Sequence, residues 1–306
     1  MLPNNAPKFQ PLTGLFEPSG IQQLADGRFL VVEDEKQFPF SLVTINPSGD
    51  VSSTPVRPQP QDDDALWKLD DLEAITLDHA GYLYAITSHS RDKEGNEQKS
   101  REKLVRFRIE NGRVTSLMLF RELKPALIAA HPILAAAAQI RDVKNIGGLN
   151  IEALEMSADQ QHLLIGFRSP LLNQQAIIAH IENPTALFEA GEVPRVSALQ
   201  TLNLDGQGIR SIAFISALNG YLILSGPIAR KQAPFQLWFW NGQRAAAARR
   251  VSATGLHSFE HAEGISYAVI DGRPHIIIVS DDGSRQEQRF AQFLLLELDQ
   301  LKIAAT

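Results

Sequence analysis

Asp71-Leu72-Glu73-Ala74-Ile75 contains one of five copies of a short cassette, and its recurrence decides how the chain is read. The other copies are Pro18-Ser19-Gly20-Ile21, Ile151-Glu152-Ala153-Leu154, Ile209-Arg210-Ser211-Ile212 and Ala262-Glu263-Gly264-Ile265. About a dozen residues after each comes an apolar, β-rich run, and self-similarity on this scale marks a repeat architecture. Each unit reads as four strand signals separated by turns such as Asp26-Gly27, Pro47-Ser48-Gly49-Asp50, Asn111-Gly112 and Asp271-Gly272. Four-stranded units repeated five times predict an all-β fold, a five-bladed β-propeller over residues 1–306 as one domain.

The ends of the chain fit a closed ring. The fifth unit offers three strand signals, Gly264 to Ile270, His275 to Val279 and Gln292 to Leu298, and lacks a fourth. Lys8 to Phe16, ahead of the first cassette, belongs to no other unit and is predicted to supply the missing outer strand. One segment breaks the β pattern: Lys124 to Val143 is rich in alanine and leucine. It is predicted to be a short helical insertion in a blade connection, with Pro132 opening a second helix at its first turn.

Composition excludes several classes. A net charge of −6 argues against a nucleic-acid role driven by phosphate neutralisation. The longest apolar run, Ile133 to Ala138, is far too short to span a membrane. The amino terminus does not read as a leader, so the expectation is a cytoplasmic protein, or a periplasmic or secreted one if a leader has been removed. Zero cysteine removes disulfides, thiolate metal sites and cysteine nucleophiles together.

The cassettes place Ser19, Glu73, Glu152, Arg210 and Glu263 at one equivalent position, the start of the first strand of each unit. Two residues earlier stand Glu17, Asp71, Asn150, Gly208 and His261, and the second strands end at Asp34, His89, Arg168, Gly226 and Asp281. Up-and-down topology brings these positions to one face, around the channel mouth. The long connections Pro58 to Asp70, with Asp62-Asp63-Asp64, and His89 to Glu102 reach that face too. Loops on a rigid scaffold are where binding groups concentrate.

Three readings of this ring stand side by side. Glu73, Glu152, Glu263, Asp34, Asp71 and Glu17 could hold calcium or another divalent cation, which accepts six to eight oxygens. Arg168, Arg210 and Arg91 could grip a small anionic molecule, since guanidinium suits phosphate and carboxylate. Alternatively the arginines neutralise the glutamates and plug the channel, because buried charges are commonly paired. In the catalytic version Glu152, Glu73 and His89 are the acid–base candidates, although Ser88-His89-Ser90-Arg91 also reads as a polar loop start. No serine elbow, dinucleotide fingerprint or zinc-protease motif is present.

Glu17-Pro18-Ser19-Gly20-Ile21 with Val32-Glu33-Asp34-Glu35, and Asp71-Leu72-Glu73-Ala74-Ile75 with Ser88-His89-Ser90-Arg91, carry a family resemblance. Asn150-Ile151-Glu152-Ala153-Leu154 with Gly166-Phe167-Arg168-Ser169-Pro170, and Gly208-Ile209-Arg210-Ser211-Ile212, complete it. Over nearly its whole length the chain resembles a bacterial propeller family of unknown function close to the phytase-like, or esterase-like, propellers. The resemblance implies calcium association and phosphoester hydrolysis, with one blade fewer than the six of phytase propellers. The resulting expectation is a channel mouth that binds a small anionic ligand, with a divalent cation, and hydrolyses an ester of it. The alternatives are a non-enzymatic propeller that binds a ligand or a protein partner, and a carbohydrate- or lactone-processing enzyme.

Overall fold

The computed structural model describes residues 6–34, 38–46, 49–58, 67–229, 233–259 and 261–305, with the backbone alone at 144. Asp62-Asp63-Asp64, Glu35 and the Pro47-Ser48 half of one turn lie outside the described residues. The remaining half of that turn closes as expected, the Gly49 N–H donating to the Asn46 carbonyl at 2.8 Å.

Five antiparallel sheets stand in a ring. Blade one contains β2 (Pro18–Gln23), β3 (Phe29–Glu33), β4 (Phe40–Ile45) and β5 (Val51–Pro55). Blade two contains β6 (Leu72–Leu77), β7 (Leu83–Thr87), β8 (Leu104–Glu110) and β9 (Arg113–Phe120). Blade three contains β10 (Asn150–Met156), β11 (Leu163–Ser169), β12 (Ala176–Ile181) and β13 (Gln200–Leu202). Blade four contains β14 (Gly208–Ile215), β15 (Gly220–Gly226), β16 (Gln236–Trp240) and β17 (Arg249–Ala253). Blade five contains β18 (Ala262–Ile270), β19 (Arg273–Ser280), β20 (Gln292–Glu297) and, from the other end of the chain, β1 (Gln10–Pro11). The hairpin turns at Asn111-Gly112 and Asp271-Gly272 carry positive φ at both residues, the primed geometry that matches strand twist.

The ring closes as the sequence predicts. Gln10 and Pro11 pair with Phe293 and Gln292, and Leu12 and Leu15 are fully buried beneath that junction. Proline is acceptable there because β1 is an outer edge strand. The carboxy-terminal end of the chain departs from the four-stranded pattern. After β20 it adds β21 (Leu301–Ile303) to β17, giving blade four a fifth strand and covering an open edge.

Hydrophobic burial is organised between the blades. Each of the five apolar clusters sits at one blade-to-blade interface, the first-to-second interface being Leu30, Val32, Phe40 and Leu42 against Ile75, Leu83 and Phe107. The inner strands β2, β6, β10, β14 and β18 pack on one another in sequence around the axis. That crowding explains a second regularity of the cassette: the residue after each ring position is small, namely Gly20, Ala74, Ala153, Ser211 and Gly264. A Cβ at Gly20 would stand 3.2 Å from the Ala74 Cα, and one at Gly264 would stand 3.0 Å from the Gly20 Cα.

The helical insertion lies where the composition placed it. It comprises α1 (Leu123–Ala130), α2 (Pro132–Ala138, with Pro132 in its first turn) and α3 (Val143–Ile146). Leu123, Leu127, Leu134 and Ala137 cap the interface between blades two and three. A further helix, α4 (Pro184–Glu189), sits between β12 and β13. Six residues are too few to display a helical period, so the sequence carries no signal for it. Among the described residues no helix is long and apolar enough to cross a membrane.

Candidate functional site at the channel mouth

Every ring position is the extra residue of a β-bulge. In blade two, Leu72 pairs with Thr87 and Ala74 with Ile86, so Glu73 has no partner on β7. The same slip occurs at Ser19, Glu152, Arg210 and Glu263. Blade three has a second slip, which leaves Arg168 unpaired on β11. A bulge bends its strand and re-aims the side chain. The topology also joins the two neighbouring sets of positions, because the N–H groups of Asp34, Ser88 and Asp281 donate to the carbonyls of Glu17, Asp71 and His261. The start of the first strand and the end of the second therefore meet on one face in these blades.

The ring residues of blades three, four and five form an ion-pair knot. Arg210 Nη1 lies 2.9 Å from Glu152 Oε2 and 2.9 and 3.1 Å from the two oxygens of Glu263. The Glu152 contact is an ion pair by distance and lacks hydrogen-bond geometry. Glu152 Oε1 accepts from Arg168 Nη1 and Asn150 Nδ2, both at 2.9 Å. Arg168 Nε donates to the Pro227 carbonyl at 3.0 Å. Burial and the charge of Glu152 raise the Glu263 carboxyl, while Arg210 acts in the opposite direction. The carboxylates of Glu152 and Glu263 instead hold the Arg210 guanidinium strongly protonated.

Blades one and two differ. Asp71 is tied up: Oδ2 accepts from Arg101 Nη1 at 2.9 Å and also from the hydroxyls of Ser88 and Ser90. Arg101 further donates to Asp70 at 3.0 Å, and the backbone N–H of Asp71, held at φ 62°, donates to Asp34 Oδ1 at 3.0 Å. Glu73 has neither a hydrogen bond nor an ion pair among the described residues. Loss of hydration in the recess, then the charges of Asp71, Glu152, Glu263 and Asp34, push its carboxyl well above the ordinary range. Asp34 faces open space, yet its recessed setting and Asp71 push it up to about 7.

These residues line a cavity of about 840 Å³, within the size range of small-molecule sites. Asp34, Asp71, Glu73, Asn150, Glu152 and Arg168 are in its wall, as are Lys68 and Arg101. Glu17 and Glu263 are outside the wall. The carboxylates proposed as one metal cage are thus divided by Arg210, Arg168 and Arg101. Among the described residues no group of three His, Asp or Glu side chains is placed to hold a metal ion. The six-ligand set does not fit a calcium site.

Two further expectations need correction. His89 does not reach the cavity: it is fully buried, bordering a small void with Lys124, Ala138 and Leu149. Its Nδ1 bonds to the Thr87 carbonyl at 2.8 Å, and burial drives its pKa down to about 4. The positive φ of 56° at His89 turns the side chain under the helical insertion. Arg91 lines the cavity but works as a brace, donating to the carbonyls of Ala138 and Gly95 at 3.0 and 3.2 Å and to Glu97 at 3.2 Å. Arg101, the clamp on Asp70 and Asp71, is not legible in the sequence, because a lone arginine in a long charged loop carries no pattern.

The opposite end of the channel holds one more group the sequence hid. Glu155 accepts from Thr76 Oγ1 at 2.8 Å and from the N–H groups of Met156 and Phe214 at 2.8 and 3.2 Å, stitching blades two, three and four together.

The solved structures that resemble the chain include the following. A glucose dehydrogenase is 13% identical with a TM-score of 0.49, the match covering 95% of this chain and 99% of that one. A protein of unknown function from Bacteroides thetaiotaomicron VPI-5482 is 9% identical at 0.44, covering 96% and 72%. The Cps50 (Swd1) β-propeller domain of Myceliophteria thermophila is 11% identical at 0.38, covering 91% and 70%. A search of curated proteins finds no match. The resemblance to phytase-like propellers is one of motifs and is not among these findings. Residues 122–293, from the helical insertion to the last blade, match the DUF3616 profile, and the chain belongs to this family of proteins of unknown function.

Proposed function

We propose that the protein binds a small charged metabolite in the channel-mouth cavity and hydrolyses an ester of it. The observation that carries this reading is that Asp34 and Glu73 line the same cavity without an ion-pair partner. Glu152, Glu263 and Asp71, by contrast, are held by Arg168, Arg210 and Arg101. A group that titrates close to neutrality is suited to general-base work. Asp34, with its carboxyl at about 7, is the one positioned in open space to take a proton from attacking water. Lys68 and the exposed edge of Arg168 form the wall against which an anionic part of the ligand would lie. The grip on an anion is weaker than the sequence implied, because Arg210 and Arg91 are committed elsewhere.

The test is turnover of a panel of p-nitrophenyl carboxylic and phosphoric esters by wild type and Asp34→Asn. The expected result is hydrolysis of at least one ester, reduced about 10²-fold or more by the substitution with little change in Tm. Equal turnover by the two proteins would remove Asp34 from the mechanism. Ligand-dependent stabilisation without any turnover would make this a binding propeller.

A further inference from the structure

The cavity wall contains more unsatisfied acceptors than donors at one spot. Glu73 accepts no hydrogen bond among the described residues, and it lines the cavity beside Asn150 and Glu152. Asn150 is 8% exposed, yet its Oδ1 has no hydrogen-bond partner, while Glu152 Oε2 is already compensated by Arg210 Nη1 at 2.9 Å. The orientation of the Asn150 amide is set by its neighbour. Its Nδ2 donates to Glu152 Oε1 at 2.9 Å, and turning the amide over would bring two acceptors together. A buried acceptor of this kind is costly unless a donor reaches it. Nearby cations do not serve Glu73, because Arg210 and Arg168 are taken up by Glu152, Glu263 and Pro227, and Arg101 by Asp70 and Asp71.

We infer that the wall formed by Glu73 and Asn150 receives a primary ammonium group of the ligand. This rests on the reading of the cavity as the ligand site. An ammonium supplies three N–H donors and a positive charge at once, answering both the empty acceptors and the surplus of carboxylate. A hydroxyl supplies a donor and leaves the charge uncompensated. A divalent metal ion needs several oxygens within about 2.6 Å. The described carboxylates are not grouped so closely, whereas N–H···O contacts span about 2.7–3.2 Å.

The experiment is thermal unfolding of the full chain with 3-aminopropan-1-ol, propane-1,3-diol, tetramethylammonium chloride or calcium chloride at matched ionic strength. The expected result at pH 8 is a saturable rise in Tm with the amino alcohol, absent for the diol and for tetramethylammonium, and lost in Glu73→Gln. The charges acting on Glu73 come from Asp71, Asp34, Glu152 and Glu263, with Arg210 opposing them. Amine binding must displace any proton on Glu73, so apparent affinity in the wild type should fall about tenfold per pH unit below the Glu73 titration. This pH series requires no substitution. An equal response to the diol or to tetramethylammonium, a response retained by Glu73→Gln, or a response to calcium in place of the amine would overturn the assignment. Failure here alone leaves the cavity reading standing, since the Asp34→Asn comparison does not depend on Glu73. Failure of both tests rejects the site.

Discussion

Glu263 in blade five and Glu73 in blade two occupy the same bulge position on inner strands of the same kind. Their circumstances are opposite. Glu263 is gripped by Arg210 through both oxygens, whereas Glu73 has neither a hydrogen bond nor an ion pair among the described residues. The backbone device is identical, so it cannot be what distinguishes a paired carboxylate from an unpaired one. The distinction comes from a single substitution in the repeat, arginine at position 210 where three other blades carry glutamate. That arginine ties together the blades within its reach. On the far side of the axis, Arg101 is anchored to Asp70 and Asp71, and Glu73 is left facing the cavity. A repeat fold can therefore close one side of its channel with charge pairs while leaving an unpaired carboxylate on the other side, facing a cavity.

The comparison can be broken most forcefully at Arg210. Arg210→Ala would leave the buried Glu152 and the partly buried Glu263 near each other without their shared counter-ion. The expected cost is about 3–5 kcal/mol in urea unfolding, the penalty for removing one partner of a buried pair. A variant as stable as wild type would show that the knot contributes nothing to holding blades three to five together.

A smaller effect should appear in the pH dependence of stability. Asp34 ordinarily titrates at 3.8 and is raised to about 7 in the fold, so the folded state holds its proton more tightly than the unfolded chain. Its contribution is complete below the unfolded value and is lost as pH rises through about 7. Asp34→Asn should therefore gain Tm relative to wild type as pH rises across that window, by an amount reduced by cavity water. A difference that stays flat with pH would place Asp34 in an ordinary solvated environment. The smallest effect on turnover is expected at His89. Asparagine tolerates positive φ, so His89→Asn should fold and leave ester hydrolysis unchanged, at a modest cost in stability. Loss of turnover without loss of folding would return His89 to the site.

The sequence by itself determined the five-fold repeat, the ring of polar positions, the closure by the first strand and the helical insertion. These features are local: strand signals, turn residues and alanine-rich runs depend on neighbours in the chain. The small residue after each ring position was also legible, though its meaning, the close approach of inner strands at the axis, appears only in three dimensions. Tertiary structure alone decided which charges meet. Arg210 lies 53 positions from Glu263, and Arg101 lies 30 positions from Asp71; no pattern along the chain couples them. The same holds for His89, which a polar loop motif suggested for the mouth but which a left-handed backbone turns beneath the helices. Which groups can ionise, pair or meet a ligand depends on burial and on the nearest opposite charge, and folding sets both across distant parts of the chain.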